Sequence, residues 1–216
     1  MVGMVGGGLV GIVLGLSLAA PPGPMNAVIA EESTVRGWRS GVRAGLGAMS
    51  ADACFLLVAL AGVATVIRDA PRLRIGMMAL GGLLMVYFSI GAARSARGSF
   101  VDHEIGESKG FRKTFALALT NPYQVLWWLT VGVALLDPGT ITVAVPAIGD
   151  VSIRTGNAAI VIGFFAGIGL WITLFPLALS RASRRIDGFA PLIAGTSALV
   201  LAGFGLVFLY RAIALL

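Results

Sequence analysis

The sequence predicts an all-α integral membrane protein of six transmembrane helices, a 3+3 inverted repeat in which the first helix of each half is broken at proline. Three observations carry that expectation. Hydrophobic residues make up 57% of the 216-residue chain against 12% charged, and the mean hydropathy is +0.93, outside the balance of a soluble domain. Six charge-poor runs can each cross a hydrocarbon core of ~30 Å, which takes ~20 helical residues. The first and fourth runs are interrupted by proline.

The first run, Met1 to Ala30, would be ~45 Å long as one helix, well beyond the core. Its break is Ala20-Pro21-Pro22-Gly23-Pro24-Met25-Asn26. Three prolines and a glycine in four residues exceed a simple kink. After the break, Asn26 to Ala30 open a helix whose first amides face a cavity and favour anionic groups. Small residues at Ser17 to Ala20 resemble a signal-peptide cleavage site, but no Lys or Arg precedes the apolar stretch and two prolines follow it, so a retained span is expected.

The second run, Ala44 to Ile67, holds Asp52, read as the only acidic residue well inside a span. Its neighbours at helical spacing are Gly41, Gly45, Ala48, Phe55, Ala59 and Gly62, a small-residue face suited to helix packing, so Asp52 points into the bundle. The third run is Ile75 to Ala93. A polar stretch from Arg94 to Lys113 then divides one transmembrane domain, 1-216, into halves of about 1-98 and 111-216. Three spans per half make the second half enter from the opposite side, the layout of inverted repeats.

The fourth run, Thr114 to Leu136, is broken at Leu119-Thr120-Asn121-Pro122-Tyr123-Gln124. The fifth, Thr155 to Ser180, carries the single Pro176, read as an ordinary kink; the sixth is Phe189 to Tyr210. Gly163-xxx-Gly167 and Gly41-xxx-Gly45 mark close helix contacts, within the chain or in a homo-oligomer. Trp127, Trp128 and Trp171 read as packing or interfacial anchors.

The net charge of +6 points to membrane topology rather than nucleic acid. Eleven of the 16 basic residues fall in loops one, three and five (Arg36 to Arg43, Arg94 to Lys113, Arg181 to Arg185), which places those loops in the cytoplasm. Arg68, Arg72 and Arg74 run against that topology. Cys54 is the lone cysteine, so no intrachain disulfide forms. His103 with Asp102, Glu104 and Glu107 reads as a solvated loop rather than a metal site.

Interrupted helices free backbone groups that lipid cannot satisfy, and such groups line solute sites in transporters. The candidate substrate-binding and coupling residues are therefore Pro22, Gly23, Pro24 and Asn26 at the first break, Asp52, and Asn121, Pro122 and Gln124 at the second. A carboxylate inside a bilayer costs ~2.5 to 3.5 kcal/mol, which favours a functional role for Asp52, either carrying a proton or attracting an ammonium group. The asparagines offer donors and acceptors, for capping freed backbone or for contacting a zwitterion. Ser17 and Thr120 can equally bond back to their own helices.

Pro22-Gly23-Pro24 with Asn26, the glycine-rich entry Gly37 to Gly47 leading to Asp52, and Thr120-Asn121-Pro122 together resemble the LysE-type (LysE/RhtB) amino-acid exporter family, over the whole length and the six-segment layout. The resemblance implies efflux of amino acids or small derivatives across the cytoplasmic (plasma) membrane by proton antiport, with no cofactor and no enzymatic step. Many members carry lysine or histidine after the Asn-Pro; here Tyr123 stands there, which leaves the substrate's side chain open. The runner-up is a divalent metal-ion exporter, which needs several inward carboxylates or histidines. An electron carrier needs a cysteine in each half, and an intramembrane hydrolase needs a partner for Asp52.

Overall fold

The computed structural model describes residues 2–61, 71–97, 109–145 and 149–215. Two breaks cut what would be long helices into short ones. Helix α1 (Val2–Ala19) stops at the proline cluster, and α2 (Pro24–Val35) leaves it at 83°. Helix α3 (Trp38–Leu60) and α4 (Pro71–Ala96) complete the first half. In the second, α5 (Gly110–Leu119) ends before Asn121-Pro122 and α6 (Pro122–Trp127) follows; a π-helical turn (Trp128–Gly132) joins it to α7 (Val133–Leu136). Helices α8 (Ala158–Ser183) and α9 (Phe189–Ala214) close the chain.

Both post-break helices start on proline for the same reason: a first-turn residue needs no N–H donor, and its fixed φ already suits a helix. The expected breaks at the start of each half are present, and the count of crossings is smaller than the expected six. Among the described residues four helices (α3, α4, α8, α9) are long and apolar enough to cross a membrane, and a fifth crossing results if α1 and α2 count as one bent span. The fourth run does not qualify on its own. Its first piece, α5, has 10 residues and rises only ~15 Å.

A second departure is a β-hairpin, β1 (Gly139–Val145) paired antiparallel with β2 (Gly149–Thr155), Gly139 opposite Thr155 and Val145 opposite Gly149. Thr155 thus belongs to β2, and the fifth helix begins at Ala158, where the Asn157 side chain accepts from the Ile160 amide. The Thr155 hydroxyl donates to the Asp137 carbonyl at 2.6 Å and fastens the hairpin base.

Glycine sets the helix contacts. On α1, a Cβ at Gly11 or Gly15 would overlap the carbonyls of Ile160 or Phe164 on α8, and one at Gly163 or Gly167 would overlap those of Gly8 or Ile12 on α1. Both spacings that the sequence offers as contacts are therefore used inside the chain: Gly163-xxx-Gly167 receives α1, and Gly41-xxx-Gly45 receives Pro176 and Ile172 of α8. Gly82 and Gly205 bring α4 against α9, and Gly47 seats α3 on the start of α5.

Among the described residues these contacts leave two apolar cores. One joins α2, α4, α5 and α9 through Val28, Met85, Leu117, Leu201 and Phe208. The other places Trp128 against Phe164, Ile168 and Ile172 of α8, with Leu14 and Leu18 of α1 alongside. The two breaks lie between them.

Candidate functional site

Residues from both breaks line one cavity of about 410 Å³. The first break contributes Pro22, Gly23, Pro24 and Asn26, the second contributes Asn121 and Gln124, and Asp52 enters from α3. Seven of the eight sequence-selected residues thus meet. The eighth, Pro122, supplies the first residue of α6, and its side chain lies outside what is described. Trp127, Ile168, Trp171, Ile172 and Phe204 form an apolar wall.

Each break is repaired by an asparagine. The Asn26 amide donates to the carbonyls of Ala19 (2.6 Å) and Pro21 (2.8 Å), two acceptors released where α1 ends. Its oxygen accepts from the Trp171 indole at 3.1 Å, tying the break to α8. Asn121 caps α6, its oxygen accepting from the Tyr123 amide at 3.1 Å. Gly23 precedes α2 with no side-chain cap, so the first turn of α2 presents its amides at the cavity edge. Ser17 and Thr120 bond back to their own helices, at Leu14 and Ala116.

Asp52 is 4% exposed. One of its oxygens accepts from the Gln124 amide at 2.7 Å and from the Trp128 indole at 2.8 Å. Gln124 and Trp128 are one helical turn apart, so both donors come from one face of the post-break segment. The π-helical turn starts at Trp128 itself. Such turns shift side-chain direction within a helix and recur at functional sites. The other end of the Gln124 amide, Oε1, is buried with no hydrogen-bond partner. A buried acceptor left open costs free energy, and beside a carboxylate it is suited to an ammonium group.

The sequence reading missed two features. Trp128 reads as an anchor, yet its indole is a hydrogen-bond donor to the carboxylate; its i, i+4 spacing from Gln124 was the available signal. Asp52 is also not alone. Glu31 and Glu32, past the end of the first apolar run, are 3% and 0% exposed on α2. Glu32 pairs with Arg36 at 2.7 Å and accepts from the Ser40 hydroxyl at 2.6 Å. Glu31 accepts from Ser95 at 3.2 Å with one oxygen, while Oε2 is buried without a hydrogen-bond partner. The sharp turn at the prolines carries α2 into the bundle, which buries residues that a straight helix would have delivered to a loop.

Tyr123 sits at the cavity, its hydroxyl accepting from Arg211 and its ring 5.7 Å from the guanidinium. Among the described residues no group of three or more His, Cys, Asp or Glu side chains comes together as a metal site. Cys54 is exposed; Gly62, His103, Asp102, Glu104 and Glu107 lie outside the described residues.

The sequence has recognisable relatives. The family profile described as LysE type translocator matches residues 16–212. An uncharacterized membrane protein of Pseudomonas aeruginosa is 30% identical over 126 residues, 55% of this chain and 58% of that one. A Bacillus subtilis protein named as a candidate amino acid efflux protein, YcgF, is 34% identical over 125 residues, with the same shares covered. The leucine efflux protein of Salmonella typhimurium is 28% identical over 120 residues, 54% of this chain and 57% of that protein. The aligned part thus spans little more than half the length of these curated relatives. No solved structure matches. Both proline breaks, Asp52 and the walls of the cavity fall inside the region that the profile covers, and the chain belongs to the LysE type translocator family.

Proposed function

We propose that this chain exports amino acids with apolar side chains across the plasma membrane in exchange for protons. The observation that carries the reading is the pairing of Asp52 with Gln124 in a cavity lined by both breaks. The substrate ammonium binds the Asp52 carboxylate and Gln124 Oε1. Its carboxylate takes the amide-rich start of α2, where the helix dipole favours negative charge. The side chain packs on Trp127, Ile168, Trp171 and Ile172. The alignment with a leucine efflux protein supports an aliphatic side chain.

Coupling follows from competition. Among the described residues no Lys or Arg forms an ion pair with Asp52, so in a low-dielectric site its charge is stabilised by either a proton or a substrate ammonium, not both. Proton arrival releases substrate; substrate binding releases the proton.

The helix pairing supports a 3+3 inverted repeat with six crossings. The pre-break helix of each half lies along the second long helix of the other, α1 on α8 and α5 on α3. The post-break helix of each half meets the third helix of the other, α2 on α9 and α6 on α4, and α3 meets α8 just as α4 meets α9. On that reading the halves are about 1-98 and 111-216 and the basic loops are cytoplasmic. The divalent-metal reading gains no support from the described side chains.

An efflux screen tests this: cells loaded with dipeptides, with and without the protein, are assayed for released amino acids while cadmium and nickel tolerance is recorded. Leucine-class release that collapses with the proton gradient is the expected result. Metal tolerance without amino-acid release would overturn the proposal.

A further inference from the structure

A second cavity, of about 360 Å³, lies where α4 ends and α5 begins. Four cations line it: Arg94 in the last turn of α4, and Lys109, Arg112 and Lys113 around the start of α5. No acidic residue is among its described lining. The rest is apolar or aromatic, with Tyr87, Phe88, Ile90 and Gly91 of α4. Tyr87 is 70% exposed and Ile90 48% exposed on a helix apolar enough to cross a membrane, so this face of α4 is open to acyl chains if the helix does so.

Three of the cations, Arg94, Lys109 and Arg112, are exposed and enter no ion pair among the described residues. Lys113 lies with its ammonium 5.8 Å from the centre of the Phe88 ring. The cavity therefore has a cationic end at the terminus of a crossing helix and an apolar side open to lipid. That combination has the shape and charge of one ligand class, a phosphate joined to hydrocarbon.

We infer that the cleft between the end of α4 and the start of α5 binds the headgroup of an anionic phospholipid, with Arg94, Lys109 and Arg112 on its phosphate and Tyr87 and Ile90 along its acyl chains. The site shares no lining residue with the Asp52 cavity, and it stands whether or not the transport proposal does. Arginine recognises phosphate with two parallel donors, so Arg94 and Arg112 set affinity and Lys109 adds charge.

The test is native mass spectrometry of the detergent-purified full chain titrated with phosphatidylglycerol, phosphatidylcholine and inorganic phosphate. The expected result is retained phosphatidylglycerol at least about tenfold over phosphatidylcholine, reduced about tenfold by Arg94→Gln/Lys109→Gln/Arg112→Gln and reduced less, by about threefold, by Arg94→Lys/Arg112→Lys, which keeps the charge but not the two-donor geometry. If the triple variant does not fold, Arg112→Gln alone, at an exposed first-turn position, carries the comparison with an expected loss of about threefold. Equal retention of the two lipids, or unchanged retention in the glutamine variants, would overturn the site. Displacement by millimolar phosphate would overturn a lipid in favour of a free anion. Retention that appears only after Asp102, Glu104 and Glu107 are neutralised would show that the protein's own acids hold these cations.

Discussion

Asp52→Asn separates what the carboxylate does for the fold from what it does for transport. The variant keeps the shape and an acceptor oxygen, so Gln124 at 2.7 Å and Trp128 at 2.8 Å retain a partner. Two charge-assisted bonds worth ~1.5 to 3 kcal/mol each become ordinary ones worth ~0.5 to 1.5, a loss of roughly 2 to 3 kcal/mol. Against this, an intramembrane charge costing ~2.5 to 3.5 kcal/mol disappears. The two nearly cancel, so Tm should move by no more than about 2 to 4 °C, the shift expected for ~1 kcal/mol in a chain of this size. Transport fares differently. Removing one partner of a buried charge pair costs ~2 to 5 kcal/mol, which at tenfold per 1.4 kcal/mol weakens substrate binding by roughly 30-fold to several thousand-fold. The assay is export of labelled leucine from proteoliposomes under an imposed pH gradient, with thermal unfolding of the same preparation. Wild-type flux in the folded variant would refute the assignment of Asp52.

Seven further substitutions probe the surroundings. Trp128→Phe keeps the ring against Phe164, 5.4 Å away, but deletes a donor to Asp52; KM should rise about tenfold, the equivalent of ~1.5 kcal/mol, with Tm little changed. Gly15→Ala drives a methyl into the Phe164 carbonyl and should cost ~1 to 3 kcal/mol, whereas Gly91→Ala meets nothing within 4 Å and should be neutral or gain up to ~1 kcal/mol of helix propensity; Tm in detergent distinguishes them. Glu32→Gln should lower Tm because it places an amide against the donors Arg36 and Ser40, while Glu31→Gln should leave Tm equal or higher because Oε2 has no hydrogen-bond partner to lose. Asn26→Asp should destabilise strongly and Asn121→Asp should not, measured by the same melts.

How far the fold could be read from sequence depended on whether local rules or packing decided each element. Pro21 to Pro24 and Asn121-Pro122 leave the chain no helical alternative, so both breaks were legible to within a residue or two. Asp52 was legible because an acid in an apolar run must be turned inward. The hairpin 139–155 was missed although Thr140, Thr142 and their β-branched neighbours alternate with a strand's period of two; attention to hydropathy treats such a stretch as loop. The burial of Glu31 and Glu32 had no local signal, because a polar Glu-Glu-Ser-Thr run reads as solvent-facing. Only the 83° turn puts it among α3, α4 and α5. Trp128 fell between these cases: its position was visible, but an indole's role depends on what its N–H reaches.

The contrast between the two asparagines shows which polar groups are left for chemistry. Asn26 spends both amide hydrogens on the carbonyls of Ala19 and Pro21 and its oxygen on Trp171. A carboxylate there would face two acceptors at hydrogen-bond distance with no proton to offer, and the turn between α1 and α2 would lose its brace. Asn121 uses its oxygen to accept from an amide, a task aspartate performs as well at a helix N-cap. Both side-chain oxygens are thus committed to the breaks, and what the first proline segment offers the cavity is the backbone at the start of α2. On the proposed function, side-chain binding chemistry falls to two groups that the breaks bring together. Those are the Asp52 carboxylate, oriented by two donors, and the Gln124 oxygen, which has none.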